Sequence, residues 1–396
     1  MKFEPNKHLL GAFLAISLTV VAAEAQVPAN IEAGLVAMGH IVDPPCTAKL
    51  YRPLMPANDV NSSATPLYPG ITVVRDASFG PNPKDVVDIF TADKGPASRP
   101  VLIYVAGGPG NKLELQDKEA NAFYDNIMRW ATKNGMVGVN VQRHGGQGWD
   151  AGAKDISSML QWVEANISKY HGNPDHMIIW AHSAGNNPLG TYIGRPELYG
   201  PKGVGVKGVI FMSPAAFDIA PLEVPPPPPG AGNPFAALAD AGKTCGVQGG
   251  AFSSSGALPG REAGQPGGPD AAPGGPSPGG AGPGGAGGRP AGGPPAGLGG
   301  PPVDAATRLA RSSLPELKKT SVKIILANAE LDPGVGTNGI MPFNQILHDE
   351  LCKEGPDHCP TLLYFKGESH MSEVFSIDTP DKTVSGPVLA WIKKIK

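Results

Sequence analysis

Short apolar runs alternate with amphipathic segments along most of the chain. The runs at 101–105, 176–181 and 206–214 are almost continuously apolar, which is typical of strands buried on both faces of a parallel sheet. Between them, segments 120–135 and 155–172 carry apolar residues at helical spacing and end in glycine. This alternation predicts an α/β fold with a mostly parallel sheet and helices on both faces.

The same alternation resumes towards the carboxyl terminus. Segments 321–330 and 361–367 have the apolar pattern of strands, and segments 343–354 and 384–396 have that of helices. Nearer the amino terminus, between residues 28 and 98, apolar bursts such as "GITVVRD" and "DVVDIF" stand among Pro, Asp and Asn. This part of the chain predicts short strands separated by turns.

A tract rich in glycine and proline interrupts the pattern at 221–302. It holds many of the 54 glycines and 44 prolines of the 396-residue chain, and its glycines do not recur at every third residue as collagen requires. The tract has too few apolar side chains to offset the entropy cost of ordering it, so we predict that it is disordered. Because the alternation continues beyond it, the tract interrupts one domain at 26–396, and we expect a deletion of 225–300 to leave a folded protein.

The first 25 residues have the order of a secretory signal. Lys2 and Lys7 precede an apolar run at 9–23, and the small residues Ala23 and Ala25 follow it. We predict cleavage after Ala25 and a secreted or periplasmic protein. An uncleaved membrane anchor is the alternative, although the run is shorter than the ~20 residues that a spanning helix needs.

Because an exported protein would reside in an oxidising compartment, we expect disulfides among the four cysteines. Cys352 and Cys359 flank a short loop and are the favoured pair; Cys46 and Cys245 either pair with each other or stay free. Four unpaired thiols are the alternative. No zinc-ligand spacing stands out, and the net charge of −3 without a basic stripe argues against nucleic-acid binding.

The first candidate catalytic residue lies in the segment "IIWAHSAGNN" at 178–187. Here Ser183 stands between small residues after an apolar strand, and the pattern is that of a Gly-x-Ser-x-Gly nucleophile turn with Ala181 at the first glycine. Large neighbours would not fit beside a serine on so tight a turn. The next helix is expected to begin near Asn186. A serine that merely caps this helix is the alternative.

The residues that would complete a catalytic triad follow in the chain order serine, acid, histidine. Asp332 and His370 each come just after a predicted strand, where a parallel sheet collects functional residues. Glu330 is a second candidate acid, but the Asp-Pro-Gly sequence favours Asp332 because it predicts a turn there. A turn aspartate and a surface histidine are the alternatives for each residue taken alone.

Backbone donors for an oxyanion are expected from two places. One is the amide of Ala184, directly after the serine, and the other is the "AGGPG" segment, where Gly107 and Gly108 allow a close approach. His182 and Arg143 are candidate pocket residues. For Arg143 a solvated loop is an equally good interpretation.

These motifs together resemble the alpha/beta-hydrolase superfamily, and within it the carboxylesterase, hormone-sensitive-lipase-like and bacterial feruloyl-esterase-like branch. The likeness runs from about residue 76 to the carboxyl terminus, without the tract. It implies a triad of Ser183, Asp332 and His370, with the amides of Gly107, Gly108 and Ala184 as the oxyanion hole. The chain departs from this branch in four ways. Ala106 replaces the usual histidine before the glycines, and Pro109 removes a possible N–H donor. Ala181 replaces the first glycine of the nucleophile turn, and the glycine- and proline-rich tract stands in place of a folded cap.

The resulting hypothesis is a secreted serine hydrolase of carboxylic esters that needs no metal or organic cofactor. Its partner would be a small-molecule or polymeric ester. Alternatives are an amidase, peptidase or thioesterase with the same triad, or a non-catalytic binding protein that keeps the fold. The sequence does not fix the acyl chain, the alcohol or the oligomeric state.

Overall fold

Eight strands form one sheet at the centre of the protein. The computed structural model describes residues 26–55, 68–108, 123–143, 148–214, 217–225, 242, 245–246 and 303–396. The predicted signal segment, nearly all of the glycine- and proline-rich tract and Pro109 lie outside these residues. The strand order is β1-β2-β4-β3-β5-β6-β7-β8. The first two strands are antiparallel to their neighbours, and the other six run parallel.

From residue 99 onwards, each strand is followed by one or two helices, as expected. The strands are β1 (Ile71–Ser78), β2 (Val86–Ala92), β3 (Arg99–Val105), β4 (Val137–Val141), β5 (Gly172–His182), β6 (Gly208–Met212), β7 (Lys323–Leu331) and β8 (Thr361–Ser369). The helices are α1 (Ala29–Met38), α2 (Pro44–Tyr51), α3 (Asp125–Lys133), α4 (Ala151–Asn166), α5 (Asn186–Ile193), α6 (Ala305–Arg311), α7 (Leu314–Leu317), α8 (Pro342–Cys352), α9 (Ser372–Phe375) and α10 (Ser385–Ile392).

The central strand β5 shows why the sheet needs cover on both sides. Ile178 and Trp180 point into one apolar core, which α1, α2, α3, α9 and α10 cover. Ile179 and Ala181 point into a second core, which α4, α5, α7 and α8 cover. Successive side chains of a strand face opposite ways, so a continuous apolar run can bury itself only between two layers of helices. The predicted mostly parallel sheet with helices on both faces is confirmed.

The amino-terminal segment contains the expected strands, which are β1 and β2, but it also contains two helices that the pattern did not predict. Two helices, α1 and α2, precede β1. Asp43 caps α2 by accepting the amide N–H of Cys46 at 3.0 Å, and Pro44 occupies the first turn, where its missing N–H costs nothing. Both helices are short, and their apolar residues gain a partner only when they pack on the sheet, which explains why the local pattern did not reveal them.

Helix α4 also starts earlier than the pattern suggested. It begins at Ala151, so Asp155 lies within its second turn, and Asp150 stands at its amino end. The strand after it, β5, already begins at Gly172. Segment 151–154 is only weakly apolar in sequence, but Ala153 is buried against the sheet. Tertiary burial therefore extends the helix by one turn.

The described residues on either side of the tract contact each other. The Ser313 amide donates to the Asp218 carbonyl at 2.8 Å, and the Arg308 guanidinium lies 3.1 Å from the Asp218 carboxylate. Within the tract, Cys245 is bonded to Cys46 at the start of α2. The second disulfide joins Cys352 to Cys359. None of the helices in the described part of the chain combines the length and apolarity needed to span a bilayer.

Candidate active site

The carboxyl ends of the parallel strands meet at one edge of the sheet, and the predicted site residues follow them directly. They are 106–108 after β3, Ser183 after β5, Asp332 after β7 and His370 after β8. Ser213, which the sequence analysis did not single out, follows β6 at the same edge. Such an edge is where open α/β sheets place their ligands.

Ser183 stands on a sharp turn between β5 and α5. Its φ of +52° lies in the left-handed region that side chains other than glycine rarely adopt. Asn186 holds the turn, because its Nδ2 donates to the carbonyl of Ser183 at 2.8 Å and to that of Met212 at 2.9 Å. A strained serine fixed by its surroundings is the geometry expected of a nucleophile turn, in contrast to an ordinary helix cap.

Gly185 shows why this turn tolerates only small residues. A Cβ atom at this position would lie 2.5 Å from the carbonyl oxygen of Val105 and 2.7 Å from that of Ala106. Real Cβ atoms almost never have contacts below 3.0 Å. The glycine therefore allows the turn to pack directly against the end of β3.

His370 and Asp332 form a tight pair. Nδ1 of His370 lies 2.6 Å from Oδ1 of Asp332, and both side chains are buried. The other oxygen, Oδ2, accepts the Ser213 hydroxyl and the amide N–H of Ala329, the latter at 3.0 Å. The carboxylate is thus fixed from three directions. This arrangement orients the imidazole and leaves Nε2 as its reactive nitrogen.

Nε2 of His370 is buried and makes no hydrogen bond to any residue in the described ranges. The alternative acid, Glu330, is engaged elsewhere, since its Oε2 accepts the amide N–H of Gly367 at 2.8 Å. The structure therefore brings Asp332, and not Glu330, to the histidine. His40, from the segment between α1 and α2, donates through Nδ1 to the Asp332 carbonyl at 3.1 Å.

The side chain of His182 is buried beside His370, with ring centroids 4.7 Å apart. Its Nε2 donates to the backbone carbonyl of His370 at 2.9 Å and lies 3.2 Å from Oε1 of Glu373. Burial, and then repulsion by His370, lowers the pKa of His182 well below its ordinary value. Burial, and then repulsion by Asp332, raises the pKa of Glu373 well above its own. Both shifts favour the uncharged forms, so we regard this contact as a neutral one.

The glycine segment after β3 lies against the serine. A Cβ atom on Gly107 would come within 2.7 Å of the Ser183 Cβ and 3.3 Å of its Oγ, and Gly108 has a φ of +54°. Ala184 is the second residue of the 3-10 turn that Ser183 begins. Arg143, a candidate pocket residue, donates hydrogen bonds to backbone carbonyls of the glycine segment.

Two groups in the described chain bring three potential metal-ligand atoms within 4.8 Å of one another. One consists of His182, His370 and Glu373, which belong to the network just described and of which Glu373 favours its neutral form. The other consists of His348, Cys352 and Cys359. Its two sulfur atoms are bonded to each other, so they are not thiolate ligands.

Three residues of the site were missed in the sequence. Ser213 follows an apolar strand as the triad residues do, and its position alone could have drawn attention to it. Glu373 is an acid in the otherwise apolar sequence "EVF", which is a weak signal of a buried carboxyl group. His40 gives no local signal, because its contact depends on where α1 and α2 pack.

Comparisons with known proteins agree with this architecture. The family model BD-FAE matches residues 87–191, a segment that ends in α5 and contains Ser183. No curated protein sequence matches the chain. A thermostable esterase from Pseudomonas putida is similar in structure, with a TM-score of 0.51, 13% sequence identity, and coverage of 93% of this chain and 97% of the esterase. The esterase Est22 is similar with a TM-score of 0.51, 14% identity, and coverage of 94% and 98%. The chain therefore has the alpha/beta-hydrolase fold, and its segment 87–191 is similar to the BD-FAE family.

Proposed function

We propose that the protein is a serine hydrolase that cleaves carboxylic esters through an acyl-enzyme on Ser183. The observation that carries this proposal is the strained Ser183, with φ +52°, at the same sheet edge as the 2.6 Å pair of His370 and Asp332. The fold shared with two esterases and the likeness to the BD-FAE family favour an ester as the substrate.

In the proposed reaction Ser183 Oγ attacks the acyl carbon while Nε2 of His370 accepts the hydroxyl proton. Asp332 stabilises the imidazolium through Nδ1. The tetrahedral intermediate then expels the alcohol, which takes the proton from His370. Water repeats the sequence on the acyl-enzyme and releases the acid. A hydrogen bond from Ser183 Oγ to His370 Nε2, which the described residues do not make, is expected to form when substrate binds, because catalytic hydrogen bonds commonly tighten only then.

The negative oxygen of the intermediate would be stabilised by the amides of Gly107, Gly108 and Ala184. The close approach of Gly107 to Ser183 supports this role, since the donors must lie near the carbon under attack. Removing one such donor typically lowers kcat by about 10²–10³.

The decisive experiment compares the unmodified protein with Ser183→Ala on p-nitrophenyl acetate and on longer acyl esters. We expect kcat to fall on the order of 10⁴-fold or more in the variant, and a fluorophosphonate probe to label only the unmodified protein. Ser158→Ala, at an exposed position of α4, is the control and should keep full activity. Unchanged turnover in Ser183→Ala would refute the proposal.

The same assay separates the other hypotheses. A p-nitroanilide and a thioester with the same acyl group measure amidase and thioesterase activity. Hydrolysis of the anilide at a rate similar to that of the ester would assign the protein to amide chemistry. Absence of turnover together with absence of probe labelling would favour the binding protein.

Export through the segment at 1–25 is part of the proposal. Two disulfides within the folded domain are compatible with an oxidising compartment. Amino-terminal sequencing of protein recovered from the periplasm or the medium should begin at Gln26. Protein that retains Met1 and remains with the membrane would indicate the uncleaved anchor instead.

A further inference from the structure

Arg143 connects two neighbouring strand ends at the edge of the sheet. It comes two residues after β4, which pairs in parallel with β3 so that Val141 lies opposite Val105. From there its guanidinium reaches three successive backbone carbonyls. Nε donates to Ala106 at 3.2 Å, and Nη2 donates to Gly107 at 3.3 Å and to Gly108 at 2.9 Å.

The contacts of Arg143 with these carbonyls show in which direction the backbone N–H groups of Gly107 and Gly108 point. In a trans peptide the C=O and the N–H point in opposite directions. The carbonyl of Ala106 shares a peptide group with the N–H of Gly107, and the carbonyl of Gly107 shares one with the N–H of Gly108. Both N–H groups therefore point away from the guanidinium. The third carbonyl belongs to the peptide bond of Pro109, which has no N–H to donate.

The segment needs an external constraint because of its composition. Gly107 and Gly108 have no side chains that could pack, and glycine has more backbone freedom than any other residue. Three carbonyl dipoles turned to one side also repel each other unless a cation lies among them. An arginine has five N–H donors in a fixed planar arrangement, so it can bind several carbonyls at once.

We propose that Arg143 is a positioning residue that holds the 106–108 segment with its N–H groups directed towards the oxyanion of the intermediate. This inference rests on the proposed ester hydrolysis. Arg143 would act without touching the substrate, by fixing donors before the reaction so that none must be reoriented during it. In this chain Ala106 precedes the two glycines, and the constraint on this segment comes from Arg143, which follows the neighbouring strand β4.

The test uses Arg143→Gln and Arg143→Lys, with Arg99 as the matched control. Arg99 begins β3, the strand that leads to the glycine segment, and it also donates to backbone carbonyls, those of Pro96 and Ala92, both at 2.8 Å. Its bonds lie at the opposite end of the sheet from the site. Arg99→Gln and Arg99→Lys should therefore lower Tm and leave kcat unchanged at temperatures where the variants are folded.

For Arg143→Gln we expect kcat on p-nitrophenyl acetate to fall about 10–100-fold with KM changed less than about 3-fold. Affinity for a trifluoromethyl ketone, whose adduct with Ser183 carries the oxyanion, should fall by a factor similar to that for kcat/KM. Arg143→Lys can reach fewer carbonyls and should lie between. An activity loss that follows only from a lower Tm, or an unchanged kcat in the folded Arg143 variants, would overturn the proposal.

A second measurement does not depend on turnover. Amide hydrogen exchange of peptides that contain Gly107 and Gly108 should be faster in Arg143→Gln than in the unmodified protein, and unchanged there in Arg99→Lys. Unaltered exchange at these glycines would show that Arg143 does not hold the segment. If Ser183→Ala kept full activity while exchange rose as expected, the proposed function would fail and the positioning of the backbone would stand.

Discussion

At the scale of single residues, Gly185 controls how closely the serine turn approaches β3. Replacing it with alanine forces a Cβ atom against the carbonyls of Val105 and Ala106. We predict that Gly185→Ala destabilises the fold by about 1–3 kcal/mol and lowers kcat at least about 10-fold, because the turn shifts Ser183 away from His370. Urea unfolding and ester turnover measure the two effects.

Gly386, near the start of α10, is the matched control. Its nearest contact for a Cβ atom is Lys382 at 3.9 Å, an ordinary distance. Gly386→Ala should therefore be neutral or stabilising by up to about 1 kcal/mol, with unchanged kcat. Equal effects of the two substitutions would contradict the steric argument.

Glu373 gives a pH-dependent prediction. Its raised pKa means that, above the ordinary value of 4.5, the folded state keeps a proton that the unfolded chain releases. Its contribution to stability is present below that value and is lost as pH rises towards the raised pKa. Glutamine carries no such proton. We predict that the Tm of Glu373→Gln, relative to the unmodified protein, increases between pH 4.5 and 8.

Glu350→Gln should show the opposite trend. Hydrogen bonds from Lys318 and then Lys353 lower the pKa of Glu350, so its favourable contribution is present above pH 4.5 and is lost as pH falls. Its Tm relative to the unmodified protein should therefore decrease slightly as pH rises to about 4.5 and stay level from there to pH 8. A relative Tm of Glu373→Gln that also decreases with pH would show that Glu373 is charged in the fold.

At the scale of elements, α2 connects the amino-terminal segment to two distant parts of the chain. The Tyr51 hydroxyl lies 3.2 Å from a carboxylate oxygen of Glu368 in β8 and 3.0 Å from one of Asp381, all three buried. At its other end, Cys46 is bonded to Cys245. The helix therefore supports β8, the strand that leads to His370.

The two disulfides should differ in their contribution to stability. Cys46 and Cys245 are 199 residues apart, whereas Cys352 and Cys359 are 7 apart. In the chain-entropy model the longer loop corresponds to about 5 kcal/mol and the shorter to about 2 kcal/mol. We predict a larger loss of unfolding free energy in the double alanine variant of Cys46 and Cys245 than in that of Cys352 and Cys359. Chemical denaturation measures both, and the reverse order would contradict the model.

The elements also show where local pattern was sufficient. The runs that became β3, β5 and β6 are almost continuously apolar, so the sequence alone predicted that these strands are buried on both faces. Helix α5 begins at Asn186, as expected from the small residues before it. Helices α1 and α2 were not readable, because short helices owe their stability to packing and not to their own sequence.

At the scale of the whole molecule, the flanks of the glycine- and proline-rich tract already meet through Ser313 and Asp218. We predict that replacing 247–300 with a Gly/Ser linker of about 20 residues, which spans roughly 25 Å on average, keeps one cooperative thermal transition. Cys245 remains for its disulfide. Because loop closure changes by only about 0.6 kcal/mol for each doubling of length, Tm should be equal or slightly higher.

Calorimetry and turnover of a short-chain ester test this prediction. A broad or split transition would show that residues 247–300 contribute to the folded core. A normal transition with altered preference among acyl chains would indicate that they influence access to the site.

The sequence by itself determined the class of fold, the order of its main strands along the chain and the residues Ser183, Asp332 and His370 as candidates. It could do so because apolar periodicity is local, and because parallel strands place their carboxyl ends at one edge whatever the loops between them. The preference for Asp332 over Glu330 also began as a local argument, from the turn at Asp-Pro-Gly.

Only the tertiary structure decided how these residues are supported. The contacts of Ser213 with Asp332, of His182 with the His370 carbonyl, and of Arg143 with the glycine segment each join different strand ends. Their distances depend on sheet register, and the raised pKa of Glu373 depends first on burial by elements far apart in the chain. No local sequence pattern encodes such contacts, because each one forms only after the fold has brought together two residues that are distant in the chain.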